Sequence, residues 1–144
     1  MAKIFTLSEA NSLIPQLADS LEKISGVNER ISGLTADIRL LFDIWGNEVT
    51  EQKNVDHHLY TTKIREREEA ARTLQGHVEE IQKTGAIVKD VHTGLIDFYH
   101  EKDGNTVFLC WKHGEQKIAH WHGVTEGFSN RKTLELLDVR KHFA

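Results

Sequence analysis

A long stripe of apolar residues constrains the fold of this chain more than any other feature of its sequence. Eight steps of three or four positions carry the stripe across 28 residues, so its mean period is 3.5. Its members are Leu17, Leu21, Ile24, Val27, Ile31, Leu34, Ile38, Leu41 and Trp45. That period is typical of a long helix that buries one narrow seam against a partner, as in a coiled coil. A chain with this stripe needs a second helix or a second subunit along it.

A second stripe of the same period follows and supplies a partner within the chain. It consists of Tyr60, Ile64, Arg67, Ala71, Leu74, Val78 and Ile81, at alternating steps of four and three. Gly46 and Gly85 come just after the two stripes, where a glycine in the left-handed region can end a helix. We therefore expect a long antiparallel helical hairpin over residues 1–84, joined near residues 46–56.

The start of the hairpin carries two further helix signals. Thr6 and Glu9 have the spacing of a capping box, in which each side chain binds the backbone N–H of the other residue. Pro15 lacks an N–H and clashes with the preceding turn, so it disrupts a helix interior. The sequence therefore predicts a short first helix and a kink or restart near Pro15.

The second half of the chain has the punctuation of an antiparallel sheet. Asp103-Gly104 and Gly114-Glu115 lie between β-prone runs and are typical of two-residue hairpin turns, the second of type II′. The predicted strands are Leu95–His100, Thr106–Lys112 and Lys117–His122, with an additional strand at Ala86–Asp90. The sequence thus predicts a small antiparallel β-meander of three to four strands.

Together these elements predict an α+β fold in a single domain of 144 residues. Residues 1–84 form the helical hairpin, residues 85–131 the β-meander and its flanking loop, and residues 132–144 a C-terminal tail. Within the tail, the segment Lys132–Lys141 is predicted to form a short helix.

Two-residue turns at both hairpins also predict which side chains meet across the sheet. On one face they align Asp97–Cys110–Ala119, Tyr99–Phe108–Trp121 and Leu95–Lys112–Lys117. On the other face they align Ile96–Trp111–Ile118, Phe98–Leu109–His120 and His100–Val107–His122. A slip of one residue in either pairing would move every side chain of that strand to the opposite face.

Composition excludes several classes of protein. No run approaches the roughly 18 apolar residues that a membrane span needs, and the start, acidic at Glu9, does not resemble a secretory signal. A single cysteine, Cys110, excludes an internal disulfide and a multi-cysteine zinc site. The formal net charge of −4 disfavours nucleic acid as a partner. We therefore expect a cytoplasmic protein with no membrane partner.

Two histidines on one predicted strand are candidate metal ligands. His120 and His122 lie on the same side of the strand, and such a pair can share a divalent ion when a third ligand joins it. A loop carboxylate, Glu115 or Glu126, is the expected source of that ligand, whereas His100 is too far across the sheet. The alternative is a pair of hydrogen-bonded or solvated histidines at the sheet surface. Spacing alone does not favour the metal.

Asp97, Cys110 and Lys112 form a second predicted cluster on neighbouring strands. A lysine near a cysteine lowers the thiol pKa and favours a reactive thiolate, whereas a carboxylate beside it raises that pKa. The alternative is a small buried cysteine next to an Asp–Lys pair that fixes the strand register.

Aromatic and cationic residues form a third group, made of Trp111, Trp121, Phe128 and Arg131. Such a group can line a pocket for a planar or anionic ligand, with Lys112 as a further cation. The alternative is that the rings pack in the core and that Arg131 binds a carboxylate or loop carbonyls.

Several segments together resemble a known family. They are Phe5-Thr6-Leu7-Ser8-Glu9-Ala10-Asn11, Leu13-Ile14-Pro15, Val88-Lys89-Asp90, Gly94-Leu95-Ile96-Asp97-Phe98, Leu109-Cys110-Trp111-Lys112-His113-Gly114-Glu115, Trp121-His122 and Gly127-Phe128-Ser129-Asn130-Arg131. Over roughly residues 4–134 the chain resembles a bacterial family of uncharacterised proteins, domain of unknown function 2203. The resemblance implies a helical N-terminal part and no established activity.

The polar motif positions of that family map onto Lys89, Asp90, Asp97, Cys110, Lys112, Glu115, His122, Gly127 and Arg131. The resemblance therefore raises Asp97, Glu115 and His122 above the other site candidates. It lowers His120, His100 and His113, which are not among these positions, and so weakens a metal site built on His120-x-His122.

Two functions agree with these patterns. The first is an oligomeric interaction or ligand-binding module without catalysis, which self-associates through the helical hairpin. The second is a small metal-binding protein or enzyme that uses Asp97, Glu115 and His122, with Lys112 and Arg131 as anion contacts. Convergence of these side chains on one concavity would favour the second function.

Overall fold

The computed structural model describes residues 2–134 and has an α+β fold. Its elements are helices α1 (Leu7–Ser12), α2 (Ile14–Trp45) and α3 (His57–Lys83), and strands β1 (Ile87–Asp90), β2 (Leu95–Lys102), β3 (Asn105–Lys112), β4 (His120–Gly123) and β5 (Lys132–Thr133). Short 3-10 helices follow α2 at Gly46–Thr50 and precede β5 at Phe128–Asn130. Among residues 2–134, no helix combines the length and the apolar character that crossing a membrane requires.

The predicted interruption of the first helix is confirmed. The capping box forms in full, since Thr6 Oγ1 accepts the Glu9 N–H at 3.1 Å and Glu9 Oε1 accepts the Thr6 N–H at 2.9 Å. Leu13 caps α1, and α2 restarts at Ile14 with Pro15 in its first turn. Proline lacks a backbone N–H, but no hydrogen bond is lost at this position, because amides in the first turn have no partner within the helix.

Residues 23–77 form one of two compact units. Within this unit α2 and α3 run antiparallel. Lys63 Nζ lies 3.0 Å from Asp37 Oδ2, and the rings of Phe42 and Tyr60 meet edge to face with centroids 5.6 Å apart. These contacts advance along one helix as they go back along the other, which makes the two helices antiparallel.

The connection between the two helices contains a short 3-10 helix and a side-chain hydrogen bond. Gly46 ends α2 at a φ of 59°, as predicted, and the chain then continues as a 3-10 helix. Val49 in that segment is fully buried. The Trp45 indole N–H donates to Asp56 Oδ2 at 2.8 Å, which ties the end of α2 to the start of α3.

The second unit contains residues 2–22 and 78–134 and holds one antiparallel sheet of five strands in the order β1-β2-β3-β4-β5. The prediction of three to four strands was therefore too low. Lys132 and Thr133, expected to begin a helix, are extended because they pair with β4. The part of that predicted helix beyond residue 134 lies outside the described residues.

The pairing of β2 with β3 has the predicted register throughout. Asp97 lies opposite Cys110, and Tyr99 lies opposite Phe108. Asp103 and Gly104 form the two-residue turn, with φ values of 52° and 82°. Positive φ at both positions is the geometry of a type I′ turn, whose twist matches that of the flanking strands.

The predicted register of β3 with β4 was wrong by one residue. Cys110 lies opposite His120 instead of Ala119, and Phe108 lies opposite His122 instead of Trp121. The cause is that Glu115 does not close a two-residue turn, so β4 starts only at His120. The slip brings both histidines of β4 to the face that carries Asp97 and Cys110.

One face of this sheet forms the core of the second unit. Ile96, Phe98, Leu109 and Trp111 are buried there, and the Phe5 ring packs edge to face on Phe98 at 5.1 Å. The opposite face carries buried polar side chains as well as apolar ones. It is this second face that positions the candidate site.

Candidate functional site

Three buried polar side chains meet on the second face of the sheet. Asp97, Cys110 and His122 come from the adjacent strands β2, β3 and β4 and are 2%, 1% and 2% exposed. Their possible ligand atoms all lie within 4.8 Å of one another. Among residues 2–134 this is the only group of three His, Cys, Asp or Glu residues close enough to hold one metal ion.

The orientation of His122 is set by hydrogen bonds on both sides of its ring. Nδ1 lies 2.8 Å from the Gly123 carbonyl oxygen, and Nε2 lies 3.1 Å from Asp97 Oδ2. A carbonyl oxygen only accepts, so Nδ1 carries a proton. The 3.1 Å contact then has its proton on Nε2 or on the Asp97 carboxyl, or the Nε2 lone pair faces a cation shared with the carboxylate.

Burial governs the protonation of the other two groups. It raises the pKa of the Asp97 carboxyl, and this effect exceeds the opposing influence of His122 and Lys89. Burial, followed by the nearby Asp97 charge, raises the pKa of the Cys110 thiol to about 11. Without a cation among them, these groups therefore hold on to their protons more strongly than in water.

A cavity of about 210 Å³ opens beside the three side chains. Its walls are formed by Lys89, Leu95, Asp97, Cys110, His122, Glu126, Gly127 and Phe128. Sequence reasoning placed Asp97 and His122 among the catalytic candidates, and the structure brings both to this cavity together with Cys110.

The loop after β4 closes one side of the cavity and is held by Glu126. Its Oε1 accepts the Gly123 N–H at 2.8 Å and a hydrogen bond from Lys132 Nζ at 2.9 Å. A Cβ on Gly123 would approach the same oxygen to 2.9 Å, so a larger residue would displace the Glu126 carboxylate. Glu126 was an alternative metal ligand in the sequence reasoning, and here its carboxylate is occupied in fixing the loop.

Glu115 joins a different cluster from the one predicted. Its carboxylate forms a bidentate pair with Arg131, at 3.1 Å from Nη1 and 2.9 Å from Nη2. It also accepts the Lys112 backbone N–H at 2.7 Å. Burial alone would raise the pKa of Glu115, but the hydrogen bonds from Arg131 and Lys112 outweigh it and the pKa is lowered.

Arg131 links this ion pair to the buried cluster. Its guanidinium stacks on the Phe128 ring at 4.3 Å and lies near Cys110, where its positive charge partly opposes the rise in the pKa of that thiol. The main contact of Arg131 is thus the carboxylate of Glu115, which agrees with the alternative in which Arg131 binds a carboxylate instead of a ligand. The set Asp97, Glu115 and His122 divides into two neighbouring clusters with Arg131 between them.

The other predicted histidines lie away from the cluster. His120 shares a face with His122, but its Nδ1 is 3.9 Å from Glu115 Oε2 and has no hydrogen-bond partner within residues 2–134. His100 is buried on the core face, with Nδ1 2.7 Å from the Phe5 carbonyl oxygen. Its predicted alignment with His122 was wrong, because Val107 pairs with Gly123.

The aromatic and cationic group is divided between the two faces. Trp111 is part of the core, and its indole N–H donates to the Glu115 carbonyl oxygen at 3.0 Å. Trp121 pairs with Leu109 in register, and its ring lies 5.1 Å from Lys102 Nζ and 4.7 Å from Lys132 Nζ. Lys112 also contacts this group, since its Nζ lies 5.6 Å from the centre of the Phe128 ring.

Sequence reasoning missed that Cys110 and His122 belong to one site. It treated the cysteine and the histidines as separate clusters, because the assumed turn at Gly114-Glu115 sent His122 to the opposite face. The signal was present in the motif segments, which contain Lys89, Asp97, Cys110 and His122 together. These four residues all line the cavity.

Comparison with known proteins identifies one family. A family model described as an uncharacterized conserved protein, DUF2203, matches residues 3–134. Neither a curated protein nor a solved structure gave a significant match. The match covers every strand of the sheet and all residues that line the cavity.

Proposed function

The chain belongs to DUF2203, a family of uncharacterised conserved proteins, and from the geometry of its sheet we propose that it binds Zn²⁺ at Asp97, Cys110 and His122. Thiolate, imidazole and carboxylate are the three side-chain types that zinc prefers. A thiolate ligand disfavours Ca²⁺ and Mg²⁺, which take oxygen ligands. This proposal replaces the Asp97, Glu115 and His122 set, because Glu115 is bound to Arg131.

The observation that carries the proposal is the hydrogen bond from His122 Nδ1 to the Gly123 carbonyl. Histidines that bind a metal through one ring nitrogen usually donate the other N–H to a carbonyl or carboxylate, which fixes the tautomer. This arrangement directs the Nε2 lone pair at the Asp97 carboxylate and the Cys110 thiol. A cation between these three acceptors removes the cost of burying them together.

A nucleophilic enzyme is a less favourable use of the same residues. A cysteine attacks as its thiolate, and catalytic cysteines have a lowered pKa. The pKa of Cys110 is instead raised to about 11, by burial and then by Asp97. Zinc would overcome this preference because metal binding displaces the thiol proton.

Metal analysis of protein purified without a histidine tag tests the proposal. We expect one equivalent of zinc after incubation with Zn²⁺ and dialysis, and loss of that zinc in Cys110→Ser and His122→Gln. His120→Ala is the matched control, since His120 is on the same strand but outside the cluster. Circular dichroism monitors folding of each variant. Folded wild-type protein that retains no more zinc than Cys110→Ser would overturn the metal site.

We also propose that the helical residues 23–77 self-associate with a second copy of the chain. Leu40 and Ile44 lie one turn apart on α2 and are 56% and 61% exposed. Such a pair of exposed apolar side chains beside a coiled-coil-like seam favours a helical interface.

We propose the cytoplasm as the compartment of this protein, because a free cysteine such as Cys110 suits a reducing environment.

Light scattering coupled to size exclusion tests self-association. We expect an oligomer for the wild type and a shift to monomer for the double variant Leu40→Glu/Ile44→Glu. Exposed positions should accept this change without loss of helix, and circular dichroism would verify that. A wild-type chain that stays monomeric at high concentration would contradict this second proposal.

A further inference from the structure

We propose that the metal centre keeps one coordination position open to the cavity and that a small carboxylate anion binds there, held also by Lys89. This inference rests on the proposed zinc site and names the class of ligand that the site takes. It gives a role to Lys89, a motif position to which the sequence assigns none.

The first argument is the number of protein ligands. Zinc sites with four protein ligands are closed and structural, whereas sites with three protein ligands hold water or a substrate in the fourth position. The cluster offers three ligand atoms, and the other carboxylate on the cavity wall, Glu126, is already bound to the Gly123 N–H and to Lys132. The fourth position therefore falls on the side of the cavity.

The second argument is charge. A thiolate and a carboxylate together neutralise the two positive charges of Zn²⁺, and a neutral imidazole adds no charge. Two further charged residues line the cavity, Lys89 and Glu126, and the Glu126 charge is paired with Lys132 at 2.9 Å. Lys89 therefore leaves the metal-loaded cavity with an excess positive charge, which attracts an anion.

The third argument is the position of Lys89 in the sheet. In the pairing of β1 with β2, Val88 lies opposite Ile96 and Asp90 opposite Leu95, so Lys89 is the extra residue of a β-bulge. Bulges re-aim a side chain and are frequent next to active sites. The Lys89 ammonium lies 4.6 Å from the centre of the Phe108 ring and lines the cavity.

Size and polarity narrow the ligand further. A cavity of about 210 Å³ is smaller than the roughly 300–1,000 Å³ of sites for drug-sized ligands. Leu95 and Phe128 give it an apolar wall. A short-chain carboxylate, with its oxygen on the metal and near Lys89 and its hydrocarbon part on that wall, satisfies all of these features.

Cobalt substitution provides the experiment, because Co²⁺ replaces zinc and its visible absorption reports changes in coordination. We expect Co²⁺-loaded protein to change its spectrum saturably with acetate. Lys89→Met should bind Co²⁺ equally well and bind acetate about tenfold more weakly, as expected for loss of one charge-assisted hydrogen bond. Lys117→Met, at an exposed position outside the cavity, is the matched control and should leave both affinities unchanged.

The outcomes separate this inference from the metal site on which it rests. Co²⁺ binding with a spectrum that acetate does not change would overturn the anion position and leave the metal site standing. Equal acetate affinity in Lys89→Met and the wild type would overturn the role of Lys89. Failure to bind Co²⁺ at all would overturn the metal site and the anion position together.

Discussion

Cys110 shows at the scale of one residue how burial decides chemistry. A cysteine two strand positions from a lysine reads from sequence as a candidate reactive thiol. In the fold its side chain is 1% exposed and lies beside Asp97, and burial followed by that charge raises the pKa of the thiol to about 11. The residue is therefore better suited to holding a metal than to attacking a substrate.

The raised pKa of Cys110 predicts slow alkylation of the metal-free folded protein. At neutral pH its thiolate fraction should be far below that of the unfolded chain, because the thiol pKa is about 11 instead of 9.0. Iodoacetamide modification followed by mass spectrometry, with and without urea, measures the difference. Alkylation as fast in the folded as in the unfolded protein near pH 7 would contradict the assignment.

The same shift has a consequence for stability at alkaline pH. A folded-state pKa above the unfolded one means that the folded protein binds this proton more tightly. The resulting stabilisation is present below pH 9.0 and is lost as the pH rises to about 11. Urea unfolding of the metal-free protein across this range should show the loss, and Cys110→Ala should show less of it.

At the scale of elements, the segment between β3 and β4 determines which side chains form the site. Glu115 accepts hydrogen bonds from the Lys112 N–H and from Arg131, while the Ile118 N–H donates to Asn11 Oδ1 at 2.8 Å. Residues 113–119, which include Glu115 and Ile118, lie outside the strands of the sheet. We expect these contacts to help set the register of β4, and with it the position of His122.

Replacing Glu115 with glutamine should destabilise the fold. The change leaves the mostly buried Arg131 without its carboxylate partner, which we expect to cost about 1–3 kcal/mol in the free energy of unfolding. Urea denaturation measures this, and Glu29→Gln at an exposed helix position is the control. A cost no larger than that of the control would show that the ion pair does not hold the segment.

Local signals in the sequence predicted the elements well. The capping box at Thr6, the restart near Pro15 and the turn at Asp103-Gly104 all depend on residues a few positions apart. The ion pair of Arg131 with Glu115 joins residues sixteen positions apart, and the sequence does not reveal that pairing. The sequence therefore identified the residues of the candidate site. It did not predict their arrangement, because it placed Cys110 and His122 on opposite faces of the sheet.

At the scale of the whole molecule, the proposed metal would be held by three strands and would couple ligand binding to stability. A ligand that binds only the folded state stabilises it by about 2.7 kcal/mol at a free concentration a hundred times its Kd. We therefore expect Zn²⁺ to raise the Tm of the wild type and EDTA to reverse the change. Cys110→Ser should show neither effect, whereas a rise of equal size in that variant would place the zinc elsewhere.

Hydrogen exchange locates that stabilisation within the chain. Zn²⁺ should slow amide exchange most in β2, β3 and β4, which supply Asp97, Cys110 and His122. Residues 23–77 form a separate compact unit and supply none of the ligand atoms, so their exchange should change least. The largest protection in residues 23–77 would contradict the proposed position of the metal.

Anomalous diffraction at the zinc absorption edge, from crystals grown with Zn²⁺, tests the central assignment most directly. The account predicts one strong peak about 2.0–2.3 Å from Cys110 Sγ, His122 Nε2 and a carboxylate oxygen of Asp97, the distances of zinc to these ligand types. A zinc-soaked crystal without a peak among these three atoms would contradict it.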